Sequence, residues 1–239
     1  MSFSKYLVFD IWGDYAHFKK YYTTSSPLTF SVPPRTVIIG IIGAILGFNK
    51  DEYLKIMNKS NAKIAIRILN PIKKIRFSIN LINTKDGYWT PIKIGSHSPR
   101  TPVTFEFLKS PKFRVYFAHA DSTVYKKFRD LLKKHECVYT PYLGISELIA
   151  NFEFIEETEV VEQIKEYANV LTVIPIDSSL TVEFETGKRY FKDRIPVDMI
   201  EGRIVNEYKE IIFEANGSSI KALNNDFIRL KNGNVIAIL

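Results

Sequence analysis

The sequence predicts an α+β fold: a ferredoxin-like βαββαβ part followed by a smaller β-rich part. Three observations predict it. Apolar runs with a strand period alternate with helical segments through about residue 160. Their order is strand, helix, strand, excursion, strand, helix, strand, which is the split βαβ order. From residue 170 strand-like runs dominate, and Asn216-Gly217 and Asn232-Gly233 mark hairpins. Boundaries follow at 1–160 and 161–239, with the excursion at about 83–110.

The first strand is Tyr6-Leu7-Val8-Phe9-Asp10-Ile11-Trp12, nearly continuous in apolar residues as a central strand is, and Gly13-Asp14 ends it. Residues 15–29 form a loop that mixes His17, Lys19 and Lys20 with Tyr15, Phe18, Tyr21 and Tyr22. Rings interleaved with bases suit single-stranded RNA, and they equally suit a loop pinned to the core.

Residues 30–48 organise the chain: Phe30-Ser31-Val32-Pro33-Pro34-Arg35-Thr36-Val37-Ile38-Ile39-Gly40-Ile41-Ile42-Gly43-Ala44-Ile45-Leu46-Gly47-Phe48. Pro33 holds Val32 extended, and Pro34 suits the first position of a helix. Gly40, Gly43, Ala44 and Gly47 recur at helical spacing and line one face. A helical glycine costs about 1 kcal/mol against alanine. Three on one face imply close approach of another backbone, protein or ligand. The helix body reads as packed on a sheet. Its start, with free N–H groups beside Arg35 and Thr36, is a candidate anion site. Gly47 is followed by Phe48-Asn49, not by the Lys-Ser/Thr of a P-loop. The apolar run from Val37 to Phe48 falls short of the roughly 20 residues a membrane span needs.

A short polar helix at 51–59 and strands at 62–69 and 75–82 follow. The excursion carries the Asp86-Gly87 turn signal, then Trp89, Lys93, His97 and Arg100 among Pro91, Gly95, Pro99 and Pro102. That composition suits a long hairpin or projecting loop, either a nucleic-acid finger or a solvated insertion. A strand at 113–118 leads to a helix capped by Asp121 or Ser122, with Tyr125, Phe128, Leu131 and Leu132 inward. The turn at 138–147 and an acidic strand at 148–161 complete the first part. Phe9, Phe77 and Phe117 read as core.

The net charge of +7 divides unevenly. Residues 1–120 carry 18 Lys/Arg against 6 Asp/Glu, and residues 121–239 carry 15 against 20. The first part therefore suits a polyanion, and nucleic acid fits better than a membrane surface because no basic amphipathic helix is evident. The split βαβ scaffold is also that of the RNA-recognition motif. The lone cysteine, Cys137, excludes an intrachain disulfide and a cysteine metal cluster. No cofactor or metal is expected. Met1 to Asp10 does not read as a signal peptide, so a cytoplasmic location is expected.

Three strings together resemble the fifth family of CRISPR-associated (Cas) proteins. They are Asp10-Ile11-Trp12-Gly13, the run from Ser31 through Arg35-Thr36 to Gly47, and Tyr142-Leu143-Gly144-Ile145-Ser146-Glu147. This is a RAMP-superfamily subunit of the type I Cascade complex, and the chain looks closest to subtype I-B. The resemblance covers residues to about 155. It implies a ferredoxin-like domain with a protruding β-hairpin thumb at 83–110, and a chain that holds the crRNA 5′ handle beside a backbone RAMP subunit and a large subunit. Arg35 and Thr36 would then meet handle phosphates. Tyr21, Tyr22 and Trp89 would stack on bases. His17, Lys19, Lys93, His97 and Arg100 would contact phosphates or bases.

Most subtypes of the family are non-catalytic, whereas the I-C member cuts pre-crRNA without metal, through Lys and His side chains. Here the adjacent pair is Lys134-His135, at a predicted helix end where cations favour the dipole. His17, Tyr22, Lys93 and His97 form the alternative catalytic set for an endoribonuclease. Glu153, Glu156, Glu157 and Glu159 read as an exposed edge rather than a metal site. A small-molecule enzyme with a glycine-lined anion pocket is a third reading.

Overall fold

Apolar runs and alternation place the strands; their pairing makes one large sheet and two small ones. The computed structural model describes residues 3–23, 25–50, 52–84, 92, 95–96 and 98–239. In chain order the elements are β1 (Lys5–Trp12), β2 (Tyr15–Ala16), α1 (Arg35–Leu46), α2 (Tyr53–Ile56), β3 (Ala62–Ile68), β4 (Lys74–Ile82), β5 (Arg100–Lys109), β6 (Lys112–His119), α3 (Ser122–Lys134), β7 (Asn151–Ile164), β8 (Ala168–Val170), β9 (Ile174–Pro175), β10 (Thr181–Glu183), β11 (Tyr190–Ile200), β12 (Ile204–Glu214), β13 (Ile220–Leu223), β14 (Phe227–Leu230) and β15 (Val235–Ile236).

β1 is the centre. It pairs antiparallel with β6 on one side and β7 on the other, and β3 pairs antiparallel with β6. The local order is β7-β1-β6-β3, with α1 leading from β1 to β3 and α3 from β6 to β7. Two βαβ crossovers are thus interleaved in a mixed α+β fold. Alternation sends Leu7, Phe9 and Ile11 to one face of β1, in the cluster that includes the helices, and Tyr6 and Val8 to the other. Phe9 and Phe117 both meet Phe128 of α3 edge-on, at 5.3 and 5.2 Å, which seats that helix on the sheet. Asp121 caps α3, accepting from the Thr123 and Val124 N–H groups at 2.7 and 3.4 Å.

The strands after β7 divide. Five of them extend the main sheet to nine strands, in the order β10-β13-β8-β15-β14 up to β7. A division at residue 160 falls inside β7, which pairs with β1 near its start and β14 near its end. β11, β12 and β9 make a separate three-stranded sheet, and β11 lies against α1. Sequence reading did not anticipate β11. It interleaves charges with apolar residues and holds Pro196, which argues against a strand interior. The strand tolerates both because it is an edge, paired with β12 alone. The main sheet also curls back on itself. The Val173 N–H donates to Ile66 O (2.8 Å) and the Leu239 N–H to Ile64 O (2.9 Å), against the outer edge of β3.

The excursion is a hairpin of β4 and β5, in register from Lys74 opposite Leu108 to Ile82 opposite Arg100, with β2 as third strand. It begins at Lys74, not near residue 83. Residues 75–82 therefore belong to the hairpin and not to the central sheet. Phe77, expected in the core, is 39% exposed and stacks on Phe107 at 4.1 Å. Phe9 and Phe117 are fully buried as expected. Trp89, Lys93 and His97 lie outside the described residues. Among the described residues no helix is long and apolar enough to cross a membrane.

Pro34 stands one position outside α1, as its N-cap at ψ 154°, so the helix opens on Arg35. That shift turns Arg35 inward. The side chain is fully buried, and its guanidinium donates to Met57 O (2.8 Å), Ala62 O (2.9 Å) and Val197 O (3.1 Å). Burial pulls its pKa down to about 10, against the opposing pull of Asp198 and Glu207. The guanidinium stays charged at neutral pH, so each carbonyl receives a charge-assisted bond. Arg35→Leu should cost about 3 kcal/mol in urea unfolding, because three buried acceptors lose their donor. An unchanged midpoint would remove Arg35 from this structural role.

His17 is buried beneath the hairpin, with Phe105 and Phe107 at 5.2 and 5.6 Å. Its Nδ1–H donates to Glu106 O at 2.7 Å, and its Nε2 has no hydrogen-bond partner among the described residues. Burial lowers its pKa, against the Glu106 carbonyl, which raises it. Above about pH 6.5 the ring is neutral in both folded and unfolded states and adds nothing to pH dependence. Below that, the unfolded chain takes up the proton first, so stability falls as pH falls towards the folded pKa. Urea titrations at pH 7.5 and 5.5 should therefore show a smaller acid loss for His17→Phe than for the unaltered protein. Equal losses would contradict this.

Candidate functional site

The glycines of α1 do different work on one face. A Cβ on Gly43 would sit 3.3 Å from Tyr53 Cβ, so α2 approaches there. Gly47 is the C-cap at φ 79°, where the Val138 side chain crowds it. A Cβ on Gly40 would meet nothing within 4 Å. Two of the three glycines are thus explained by the protein's own packing, and Gly40 faces open space.

That space is a cavity of about 510 Å³. Thr36, Gly40, Gly43 and Ala44 of α1 line it, with Phe48, Lys50 and Tyr53 from the segment that follows. Tyr139 and Tyr142 come from the strap between α3 and β7, and Met199 and Arg203 from the tip of the β11–β12 hairpin. The strap is fixed by the end of α1, whose last carbonyls lack the i+4 donors of the helix body. The Val138 and Tyr139 N–H groups donate to Ile45 O (3.1 Å) and Ala44 O (3.0 Å). Gly144 closes the strap at φ 105°, where a Cβ would collide with the His17 carbonyl. The Leu143-Gly144 step is therefore set by backbone packing. Burial pushes the Tyr53 pKa up, with nearby Arg203 acting in the opposite direction, so its hydroxyl is neutral at pH 7.

The site expected from sequence is only partly assembled here. Thr36 lines the cavity. Arg35 does not: it was expected to meet phosphates, and it is buried against three carbonyls because the helix starts one residue late. His17 is likewise buried, since its ring fills the space under the hairpin. Lys19 is exposed, and Arg100 is exposed at the start of β5. Tyr21 and Tyr22 are exposed and meet edge-on at 5.1 Å. Tyr21 also touches the Tyr208 ring at 5.0 Å, and Arg194 lies over Tyr208 at 5.2 Å. Lys20 is anchored to Asp193 at 2.7 Å. The 15–29 loop thus docks on the β11–β12 hairpin, a contact no sequence signal announced.

The alternative catalytic set is not brought together among the described residues. His17 is buried, Tyr22 is on the exposed loop, and Lys93 and His97 lie outside the described residues. His135 forms the left-handed C-cap of α3 and stacks on Phe152 at 4.7 Å. β14 pairs with β7 only from Val160 to Ile164, so the acidic stretch before it pairs with β1 alone among the described strands, and Glu153, Glu157 and Glu159 are exposed. Glu159 meets Lys5 at 3.4 Å, and Glu157 accepts from Tyr125 at 3.1 Å. Among the described residues no cluster of His, Cys, Asp and Glu could hold a metal.

Sequence reading missed Lys50, Tyr53, Tyr139, Tyr142 and Arg203. Tyr142 stands inside a string already singled out, and Tyr139 three residues before it; their wall position needed the strap's docking on α1. Arg203 had no signal, because it follows the unanticipated β11.

The chain matches the family model described as CRISPR-associated protein (Cas_Cas5) over residues 6–211. No curated protein sequence matches it. Among solved structures it resembles a CRISPR protein from Archaeoglobus fulgidus, at 14% identity over 98% of each chain, with a TM-score of 0.60. It also resembles a chain of a CRISPR RNA-guided surveillance complex, at 12% identity over 90% of this chain and 91% of that one, TM-score 0.55. A chain of the Type III-B Cmr-beta complex bound to cognate target RNA and AMPPnP matches at 16% identity over 90% and 86%, TM-score 0.54. At such identities the structures speak to shared fold, and the family model speaks to membership. The chain belongs to the Cas5 family of CRISPR-associated proteins.

Proposed function

We propose that this chain is a non-catalytic RNA-binding subunit of a type I Cascade effector complex and holds the 5′ handle of the crRNA. The observation that carries the reading is the cleft on α1. It combines an open floor at Gly40, tyrosine walls, and two exposed cations, Lys50 and Arg203. Rings stack on unpaired bases and cations meet phosphates. The strand order β7-β1-β6-β3 reads as the ferredoxin-like arrangement of a RAMP domain, and the β4–β5 hairpin as its thumb. Similar folds occur in an RNA-guided surveillance complex and in a complex bound to target RNA, which supports the assignment. A backbone RAMP subunit and a large subunit are the partners this reading assigns, in the cytoplasm, and I-B is the subtype it assigns.

The test is a binding titration with end-labelled repeat–spacer RNA in EDTA at several salt concentrations. Intact RNA should be retained, and retention should be lost when the handle is deleted. Lys50→Ala and Arg203→Ala should each reduce the slope of log affinity against log salt by about 0.7, the value for one phosphate contact on a single strand. Retention that ignores the handle would overturn the assignment. A discrete cut at the handle boundary would make the chain a processing ribonuclease instead.

A further inference from the structure

Two hydroxyls at the base of the cleft have no partner. Thr36 is 7% exposed and Tyr53 9%, both line the cavity, and neither side chain makes a hydrogen bond among the described residues. Neither hydroxyl is sealed from solvent, so both remain open to a ligand that enters the cleft. Their neighbours define its chemistry. Tyr139 and Tyr142 are 53% and 45% exposed, so their rings remain available for stacking. Lys50 and Arg203 are exposed and have no ion pair among the described residues. Gly40 leaves the floor open between them.

We infer that the cleft is a pocket for one unstacked nucleotide, with the base inside and the phosphate outside. A polar-edged planar ring suits the tyrosine walls and can both donate to and accept from the Thr36 and Tyr53 hydroxyls. A single negative charge suits the two cations. A cavity of about 510 Å³ lies within the range of small-ligand sites and is far too small for a duplex. The pocket thus engages a base as well as a phosphate, and not the phosphate alone. The inference rests on the RNA-binding reading only for the source of the nucleotide.

The test is NMR on full-length protein labelled with ¹⁵N-glycine, titrated with each of the four nucleoside 5′-monophosphates and, as a baseless control, ribose 5-phosphate. The Gly43 and Gly144 amides, both at the cleft, report occupancy. At least one nucleotide should shift them more than ribose 5-phosphate does, and Gly40→Leu should abolish the shift. That variant adds a Cβ where nothing stands within 4 Å and replaces glycine with a better helix former, and its urea midpoint should not fall below that of the unaltered protein. In parallel, Gly40→Leu should weaken handle-RNA retention at least tenfold. Equal shifts from ribose 5-phosphate, no shift from any nucleotide at millimolar concentration, or shifts that survive Gly40→Leu would each overturn the pocket. Handle RNA retained equally by Gly40→Leu would overturn it and leave the RNA-binding reading standing. Nucleotide shifts without handle retention would do the reverse.

Discussion

A buried positive charge holds this fold in register. Arg35 sits at the first turn of α1, yet its bonds reach the end of α2, the start of β3 and the middle of β11. Desolvating a guanidinium is costly, and only a full set of acceptors offsets it. Those acceptors come from three segments far apart in sequence, so the charge is tolerated only when all three are in place. The rotation of α1 follows from this. With Arg35 turned inward, the apolar side chains of the helix meet the sheet, and the Gly40 side is left open towards the cleft.

The cleft is built from ends. α1 finishes at Gly47, its last carbonyls accept from the strap at Val138 and Tyr139, and the strap delivers two tyrosines to the helix face. The β11–β12 hairpin supplies Arg203 from its tip after Arg35 has gripped its flank. Each wall therefore depends on a backbone contact made elsewhere. Glycine at 43 and 47 answers to protein neighbours, while a Cβ at 40 would meet none and the position opens on the cleft.

The strands after residue 160 illustrate how a sheet absorbs a chain that looks like a separate part. β14 pairs with the second half of β7, and the sheet bends until residues 173 and 239 meet β3. Closure of this kind removes edges that would otherwise offer unpaired backbone groups. β11 and β12 did not join, and their small sheet covers α1 instead.

The central strand, both long helices, the Asp121 cap and the Asn232-Gly233 hairpin turn were legible in the sequence, because each is a local pattern of period, cap or turn residue; Asn216-Gly217, read as a hairpin, instead joins β12 to β13 of a different sheet, a difference no local pattern carries. The family strings were legible for the same reason. Where Arg35 and His17 point was not, since a charged or polar side chain beside a loop reads as exposed until the distant carbonyls that satisfy it are known. Nor was the cleft, whose Lys50, Tyr53, Tyr139, Tyr142 and Arg203 come from segments that meet only after α1 is docked. The sequence by itself determined which elements form and that one helix face is unusually small. The tertiary structure alone decided which part of that face is covered and which is left open, because that depends on contacts between residues more than 100 positions apart, such as Arg35 with Val197.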